Sequence, residues 1–197
     1  VTRHGGAPRA EGLVETGGLT DDQPRQRNVS RLSAGSWGSR RAWNWGALAE
    51  RVSDGGFSGL APATGERVSN DDFLSTHASL SGGWHGAGGA DVRASVNLTW
   101  SDRGFPGPFG SNPIGAYTAV DTLSRGATAT RQYGVRWRQP FARSDRRVRQ
   151  TASASYLDLT NDFTSAYGLS ASTTSRFDAR TQTDVDLSAA AAVSFGA

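Results

Sequence analysis

Alternation of apolar and polar residues over about ten positions is the feature that most limits what this chain can fold into. Between Asp91 and Ser101 every second residue is apolar or aromatic, and the intervening residues are polar or charged. Segments 132–138 and 176–186 repeat the pattern. A period of two indicates a β-strand with two unlike faces. Soluble strands usually have about 5–6 residues, whereas a tilted strand needs roughly 9–11 to cross a bilayer. The pattern therefore predicts an all-β, antiparallel transmembrane β-barrel segment.

Composition agrees with this prediction and excludes two other classes of protein. Only 36% of the residues are hydrophobic, so the chain has no stretch of the roughly 20 apolar residues that a membrane-spanning helix needs. Disorder is also disfavoured, because the chain contains six Trp, four Tyr and eight Phe, and disordered chains are poor in aromatic residues. A barrel accommodates both facts, since only every second residue of its strands meets lipid.

Absent residue types restrict the chemistry further. The chain has no Cys, which excludes disulfides, thiolate metal sites and thiol catalysis. It has no Met, and no signal peptide begins at Val1, so we expect residues of the parent protein to precede it. All 21 Lys and Arg residues are Arg, spread along the whole chain, so the net charge of +3 does not predict a nucleic-acid partner.

Nine strands are predicted, and their connections alternate between short and long. In bacterial outer-membrane barrels, short periplasmic turns alternate in this way with long extracellular loops. A complete single-chain barrel has an even number of strands, so an odd count also predicts a barrel that continues beyond Ala197. The predicted strands are 9–15, 29–36, 42–53, 73–84, 91–102, 132–141, 147–158, 176–186 and 190–196. The short connections are 38–41, 85–90, 142–146 and 187–189, and the long ones are 16–28, 54–72, 103–131 and 159–175.

Many aromatic residues lie near the predicted strand ends, where a membrane-spanning barrel has its two rings of aromatic side chains, called girdles. Amphipathic rings prefer the headgroup level of a bilayer, so a spanning barrel carries one girdle at each interface. The alternative interpretation is that these rings belong to the core of a soluble sandwich. Trp37, Trp43, Trp45, Trp84 and Trp137 lie near the short connections, and Trp100, Tyr156 and Phe177 lie near the long ones.

Short stretches spread over nearly the whole chain resemble TonB-dependent outer-membrane receptors. Besides the four described next, they are Glu15–Gly18, Tyr117–Thr118, Ser124–Gly126 and Phe163–Gly168. Val1–Gly6 resembles the last strand of the plug domain, and Ala34–Arg41 resembles the first periplasmic turn of the barrel. Asn70–Thr76 is similar to the Asn-Asp-x-Phe-x-Asn-Thr start of a later strand. Arg103–Pro113 resembles the Gly-x-Pro-Gly-Pro-Phe-Gly-Ser-Asp/Asn-Pro loop of the vitamin B12 receptor-like branch.

The resemblance implies a fragment of a receptor. Residues 1–8 would end the plug domain, and residues 9–197 would form the N-terminal part of a barrel of about 22 strands. Its implied location is the bacterial outer membrane, in contact with lipid. Its implied partners are the TonB inner-membrane energy complex, acting through the plug, and a large nutrient, either cobalamin-like or a ferric siderophore. The insertion Leu19–Asn28 and the lack of most of the plug and of an energy-coupling box depart from the family pattern.

No catalytic constellation, metal site or cofactor site is predicted, so we do not expect an enzyme. The three histidines, His4, His77 and His85, are scattered, and isolated lumen or turn positions are the favoured interpretation. Asp71 and Asp72 offer oxygen ligands for calcium, although a solvated acidic cluster in a loop is favoured. Charged residues on the polar faces of the strands, such as Arg93, Arg136, Arg180 and Asp178, are expected to form cross-strand ladders along a wet lumen.

The 103–131 loop is the predicted site of ligand contact. Its prolines and glycines favour a structured loop, and loops carry function on rigid scaffolds. The predicted ligand-binding residues are Phe105, Phe109, Asn112 and Tyr117. Two rival functions remain open on sequence alone: a complete small barrel that acts as an anchor or adhesin, with Phe195 as its terminal aromatic, and a passive porin.

Overall fold

The computed structural model describes residues 7–19, 27–56, 60–61, 64–107, 120–143, 146–188 and 190–197. Within these ranges the chain forms nine strands and one short 3-10 turn at Ala87–Gly89. No helix in the described ranges has the length and apolar character to cross a membrane. The strands are β1 (Arg9–Leu19), β2 (Arg27–Arg40), β3 (Trp43–Asp54), β4 (Phe73–His85), β5 (Asp91–Gly104), β6 (Arg125–Arg143), β7 (Arg146–Ser165), β8 (Gly168–Ser188) and β9 (Ala191–Gly196).

All nine strands lie in one sheet, in sequence order, and each is antiparallel to the next. Short hairpin connections permit this arrangement, whereas parallel neighbours would need long crossovers. The register is continuous from β1 to β8, and a shift occurs between β8 and β9 near Asp186. The predicted all-β antiparallel class is therefore confirmed. The sheet has β1 at one edge and β9 at the other, so it is open over the described residues.

The register assigns each strand residue to one of two faces, because directly opposed residues in a sheet point the same way. Val92 of β5 lies opposite Trp84 of β4 and Trp137 of β6. Arg93, the next residue of β5, lies opposite Arg136 of β6. We call the side that carries Val92 the apolar face and the side that carries Arg93 the polar face. The alternation seen in the sequence therefore continues coherently across neighbouring strands.

The apolar face contains four runs of nine residues in which no side chain pointing to that face is charged. They are Val92–Trp100 in β5, Tyr133–Phe141 in β6, Val148–Tyr156 in β7 and Phe177–Val185 in β8. Nine residues extend about 30 Å along a strand. Many large side chains of this face are exposed, including Trp43, Leu80, Phe177 and Phe195, each more than half accessible. Three of the runs stop at charged residues on the same face, namely Asp102, Arg131 and Asp158.

One predicted long loop, 159–175, is wrong. β7 and β8 remain paired as far as Ser165 and Gly168, so their connection is only residues 166–167. Its Ser, Asn, Asp and Gly residues are typical of loops, but it also contains four β-branched Thr residues, which favour strands. The exact alternation of short and long connections therefore fails at this hairpin.

The other predicted connections agree with the structure to different degrees. Residues 55–72 form a long connection close to the predicted 54–72. The predicted loop 103–131 is shorter, because β5 continues to Gly104 and β6 begins at Arg125. The 16–28 loop is also shorter, since β1 and β2 continue to Leu19 and Arg27; what remains of it lies outside the described residues. The four short connections are confirmed with changed bounds, because the strands on either side leave only 41–42, 86–90, 144–145 and 189–190 between them.

The predicted girdle near the long connections also needs correction. Tyr156 and Phe177 lie in the middle of β7 and β8, because those strands are longer than expected. They are opposite each other, and Tyr156 also stacks against Tyr133 with ring centroids 6.4 Å apart. Trp37 lies opposite Gly46, which assigns it to the polar face and not to the girdle of the apolar face.

Hydrogen exchange can test the extended β7–β8 hairpin. We expect slow amide exchange through most of 159–175, because these residues lie in a paired ladder. Gly168 has φ of +128°, a conformation that L residues rarely adopt. Gly168→Ala should therefore destabilise the hairpin end by about 1 kcal/mol and speed exchange there roughly fivefold. Exchange in Val148–Tyr156 should not change. Fast exchange throughout 159–175 in the unaltered chain would contradict the pairing.

Candidate functional site

Phe105 is the one predicted ligand-binding residue that falls within the described chain. Phe109, Asn112 and Tyr117 lie outside the described residues. Phe105 directly follows β5, and its backbone N–H donates a hydrogen bond of 3.0 Å to the Ser124 carbonyl. The structure thus places Phe105 at the point where the 105–124 connection leaves the sheet.

The Phe105 ring is held by contacts to the sheet itself. It meets the Phe163 ring of β7 edge-on, with centroids 5.6 Å apart. The Arg103 guanidinium lies 5.6 Å from the centroid of the same ring, within the range of a cation–π contact. The side chain remains 38% exposed. Phe105 therefore anchors the connection through one part of its ring and leaves the rest accessible.

Asn70 joins two long connections that are distant in sequence. Its side-chain amide nitrogen donates to the backbone carbonyls of Ser124 at 2.7 Å, Asp121 at 3.1 Å and Phe105 at 3.4 Å. Asn70 has a positive φ of 63°, which Asn tolerates better than most residues. Its backbone lies so close to Gly104 that a Cβ there would be 2.3 Å from the Asn70 carbonyl oxygen.

Arg125, the first residue of β6, neutralises carboxylates from two other elements. It forms a two-pronged contact with Asp72, at 3.0 and 2.9 Å, and it also binds Asp102 of β5. A third contact, 3.3 Å long, joins its guanidinium to the Asn70 side-chain oxygen. Two-pronged arginine–carboxylate pairs fix geometry as well as charge. Arg125 therefore fastens the residues before β4 to the neighbouring ends of β5 and β6.

Asp121 closes the turn that leads into β6. One of its oxygens accepts hydrogen bonds from the backbone N–H groups of Leu123, at 2.8 Å, and Ser124, at 2.9 Å. Its other oxygen accepts the Ser124 hydroxyl. This hydroxyl bond, followed by the two backbone bonds, holds the pKa of the Asp121 carboxyl below its usual range. We call the set Asn70, Asp72, Asp102, Asp121, Ser124 and Arg125 the loop-base cluster.

Most of the buried side chains of the described residues belong to the two long connections and not to the strands of the sheet. Ala61, Val68, Val120 and Ser124 are all buried, and all four belong to the two long connections. The Val120 N–H donates to a Glu66 carboxylate oxygen at 3.2 Å, which ties one connection to the other. These connections therefore pack on each other, as a structured loop requires.

The calcium alternative for Asp71 and Asp72 receives no support from the described residues. Asp72 is bound by Arg125, and no group of three His, Asp or Glu residues in the described ranges is arranged to hold a metal ion. His4 lies outside the described residues, and the other two histidines have ordinary partners. His77 contacts the Thr99 hydroxyl at 3.0 Å, and His85 lies 2.7 Å from Asp91. The carboxylate partner of His85 was not predicted, because the two residues meet only across the β4–β5 turn.

A second feature lies on the polar face, away from the loop-base cluster. A depression of about 480 Å³ spans β3 to β8, and three arginines from different strands line it, namely Arg93, Arg136 and Arg180. The expected charge ladders are present only in part. Arg149 and Asp184 pair across strands at 3.2 Å. By contrast, Arg93–Asp91 and Arg176–Asp178 pair within one strand, at 2.9 and 2.7 Å.

Gly104→Ala tests whether the close approach of Asn70 matters. The added Cβ would overlap the Asn70 backbone, which cannot move without breaking the contacts of the loop-base cluster. We expect a loss of about 1–3 kcal/mol in the free energy of unfolding, together with faster proteolysis at the 105–124 connection.

Gly17→Ala in β1 is the matched control, since no atom lies within 4 Å of its added Cβ. That variant should be as stable as the parent chain or slightly more stable. Equal stability of the two variants would show that the contact at Gly104 is unimportant.

Comparison with known proteins leaves the family open. No family model, no curated protein and no solved structure matches this chain.

Proposed function

We propose that this chain is part of the barrel wall of a TonB-dependent receptor in the bacterial outer membrane. The receptor takes up a bulky, scarce nutrient, cobalamin-like or a ferric siderophore, which binds at the extracellular loops. Its partners are membrane lipid, on the apolar face, and the TonB inner-membrane complex, which supplies energy through the plug. Residues 1–8 end that plug, and residues 9–197 belong to the N-terminal part of a barrel of about 22 strands.

The apolar face is the observation that carries this proposal. Its uncharged nine-residue runs match the roughly 9–11 residues of a tilted membrane-spanning strand and an apolar band about 25 Å tall. A water-soluble sheet of this extent would need a second layer to cover such large exposed side chains. Lipid covers them without any further part of the protein.

The opposite face and the connections support the same assignment. Charged and hydroxyl side chains on the polar face suit a wet barrel interior. The 55–72 and 105–124 connections are long and lie at the same end of the sheet, which is the pattern of extracellular loops. The loop-base cluster holds them together, so Phe105 and the residues after it would meet a ligand on a rigid support. The motif resemblance of Arg103–Pro113 favours the vitamin B12 receptor-like branch.

Single cysteines in β5 can test the membrane assignment, because the chain has no Cys of its own. The variants Val96→Cys, Asn97→Cys, Leu98→Cys and Thr99→Cys would be labelled with an environment-sensitive dye in phospholipid vesicles. We expect nitroxide lipids to quench the dye at positions 96 and 98, which lie on the apolar face, and not at 97 and 99. Equal quenching at all four positions would refute a lipid-facing apolar side.

Uptake measurements can separate a receptor from a passive porin or an anchor. Deleting the gene for the full-length protein should abolish high-affinity uptake of labelled cobalamin or of a ferric siderophore, and the parent gene should restore it. Collapsing the proton-motive force should stop that uptake, because plug movement requires energy from the inner membrane. Uptake that continues without the proton-motive force would indicate a porin. Unchanged uptake of both nutrients in the deletion strain would indicate an anchor or adhesin.

A further inference from the structure

Positive charge exceeds negative charge in the depression on the polar face, which is lined by three arginines and one aspartate. Arg93 and Arg136 lie directly opposite each other on β5 and β6, and like charges in that position destabilise a sheet. Arg136 is followed across the sheet by Ser153 of β7 and then by Arg180 of β8. Neighbouring strands are about 4.8 Å apart. Three arginines from a short row of the sheet therefore line one shared space.

Each of the two nearby carboxylates is already paired with an arginine of its own strand. Asp91 accepts Arg93 at 2.9 Å and also lies 2.7 Å from His85. Asp178, the acidic residue that lines the depression, is bound by Arg176 at 2.7 Å, so it offsets the charge of Arg180 only in part. Arg136 has no ion-pair partner anywhere in the described ranges.

Hydroxyl groups complete the lining. Ser95, Ser153 and Ser155 lie in the depression beside the arginines, and each hydroxyl is able to donate a hydrogen bond. Donors from several strands thus line one volume. A carboxylate is flat and is satisfied by one arginine fork. A tetrahedral phosphate or sulfate group presents three or four acceptor oxygens, and it is the anion that matches three separate arginines with interspersed hydroxyls.

We propose that this depression is an oxyanion-binding site for a phosphate or sulfate group. The group is either a free ion or part of a larger molecule, for which a volume of about 480 Å³ leaves room. The bound anion neutralises the Arg93–Arg136 repulsion and fills the hydrogen-bonding capacity of Arg136. The site depends on the register of β3 to β8, and it stands whether or not the apolar face contacts lipid.

Calorimetric titration of the whole 197-residue chain tests this site. The chain would be refolded in a nonionic detergent without phosphate and titrated with inorganic phosphate at constant ionic strength. We expect saturable binding at one site. Arg136→Gln and Arg180→Gln should each raise Kd at least about tenfold, because each removes a charged hydrogen-bond donor. A second titration with glycerol phosphate shows whether the natural ligand is a free ion or part of a larger molecule. Tighter binding than that of inorganic phosphate would indicate a larger molecule that carries a phosphate group, and weaker binding would indicate the free ion.

Arg51→Gln is the matched control. Arg51 lies on the apolar face, so the variant has the same loss of charge without touching the depression, and its Kd should be unchanged. An equal loss of binding in all three variants, or no saturable binding of either probe, overturns the proposal.

Thermal unfolding separates this role from a structural one. Without phosphate, Arg136→Gln should unfold at the same temperature as the parent chain or higher, because a like-charge contact is removed. Phosphate should stabilise the parent chain and not the variant. A lower unfolding temperature for the variant without phosphate would show that Arg136 supports the fold, and the proposal would fail.

Discussion

The cross-strand register is the constraint on which the rest of this structure depends. Side chains alternate between faces with a period of exactly two, so a slip of one residue between any two strands would transfer the side chains of one strand to the wrong face. The register between β5 and β6 keeps Val92 opposite Trp137 and Arg93 opposite Arg136. This coherence turns a pattern in separate segments into one apolar surface and one polar surface. The proposed contacts with lipid and with an anion both follow from it.

The sequence was informative wherever alternation was strong, and it was misleading where alternation was absent. Residues 91–101 show five apolar or aromatic side chains on one face, so β5 was predicted within two residues of its ends. Residues 159–175 consist largely of small polar side chains that look alike on both faces. They nevertheless form paired strands, because backbone bonding to the neighbouring strand does not require an apolar face. Trp37 shows the same limit, since only pairing with Gly46 reveals its face.

The loop-base cluster could not be predicted from the sequence for a different reason. Asn70 contacts the carbonyl of a residue 54 positions later, and no local pattern encodes such a contact. The sequence did identify Asn70–Thr76 and Arg103–Pro113 as distinctive, but as two separate motifs. The structure joins them through Asn70 and Arg125, so the two long connections behave as one support. A ligand site built on them would have its position set by the sheet, as the proposed receptor function requires.

Arg125 and Arg136 differ in how completely nearby carboxylates compensate their positive charge. Arg125 meets two carboxylates and an amide oxygen, so its contacts account for its presence as a structural fastener. Arg136 faces another arginine, and within the described chain it has no carboxylate contact. Like charges directly opposite each other lower the stability of a sheet, and Asp91 relieves this conflict only on the side of Arg93. Functional sites are where such local conflicts are expected, which is why the polar-face depression, and not the loop-base cluster, is assigned the bound anion.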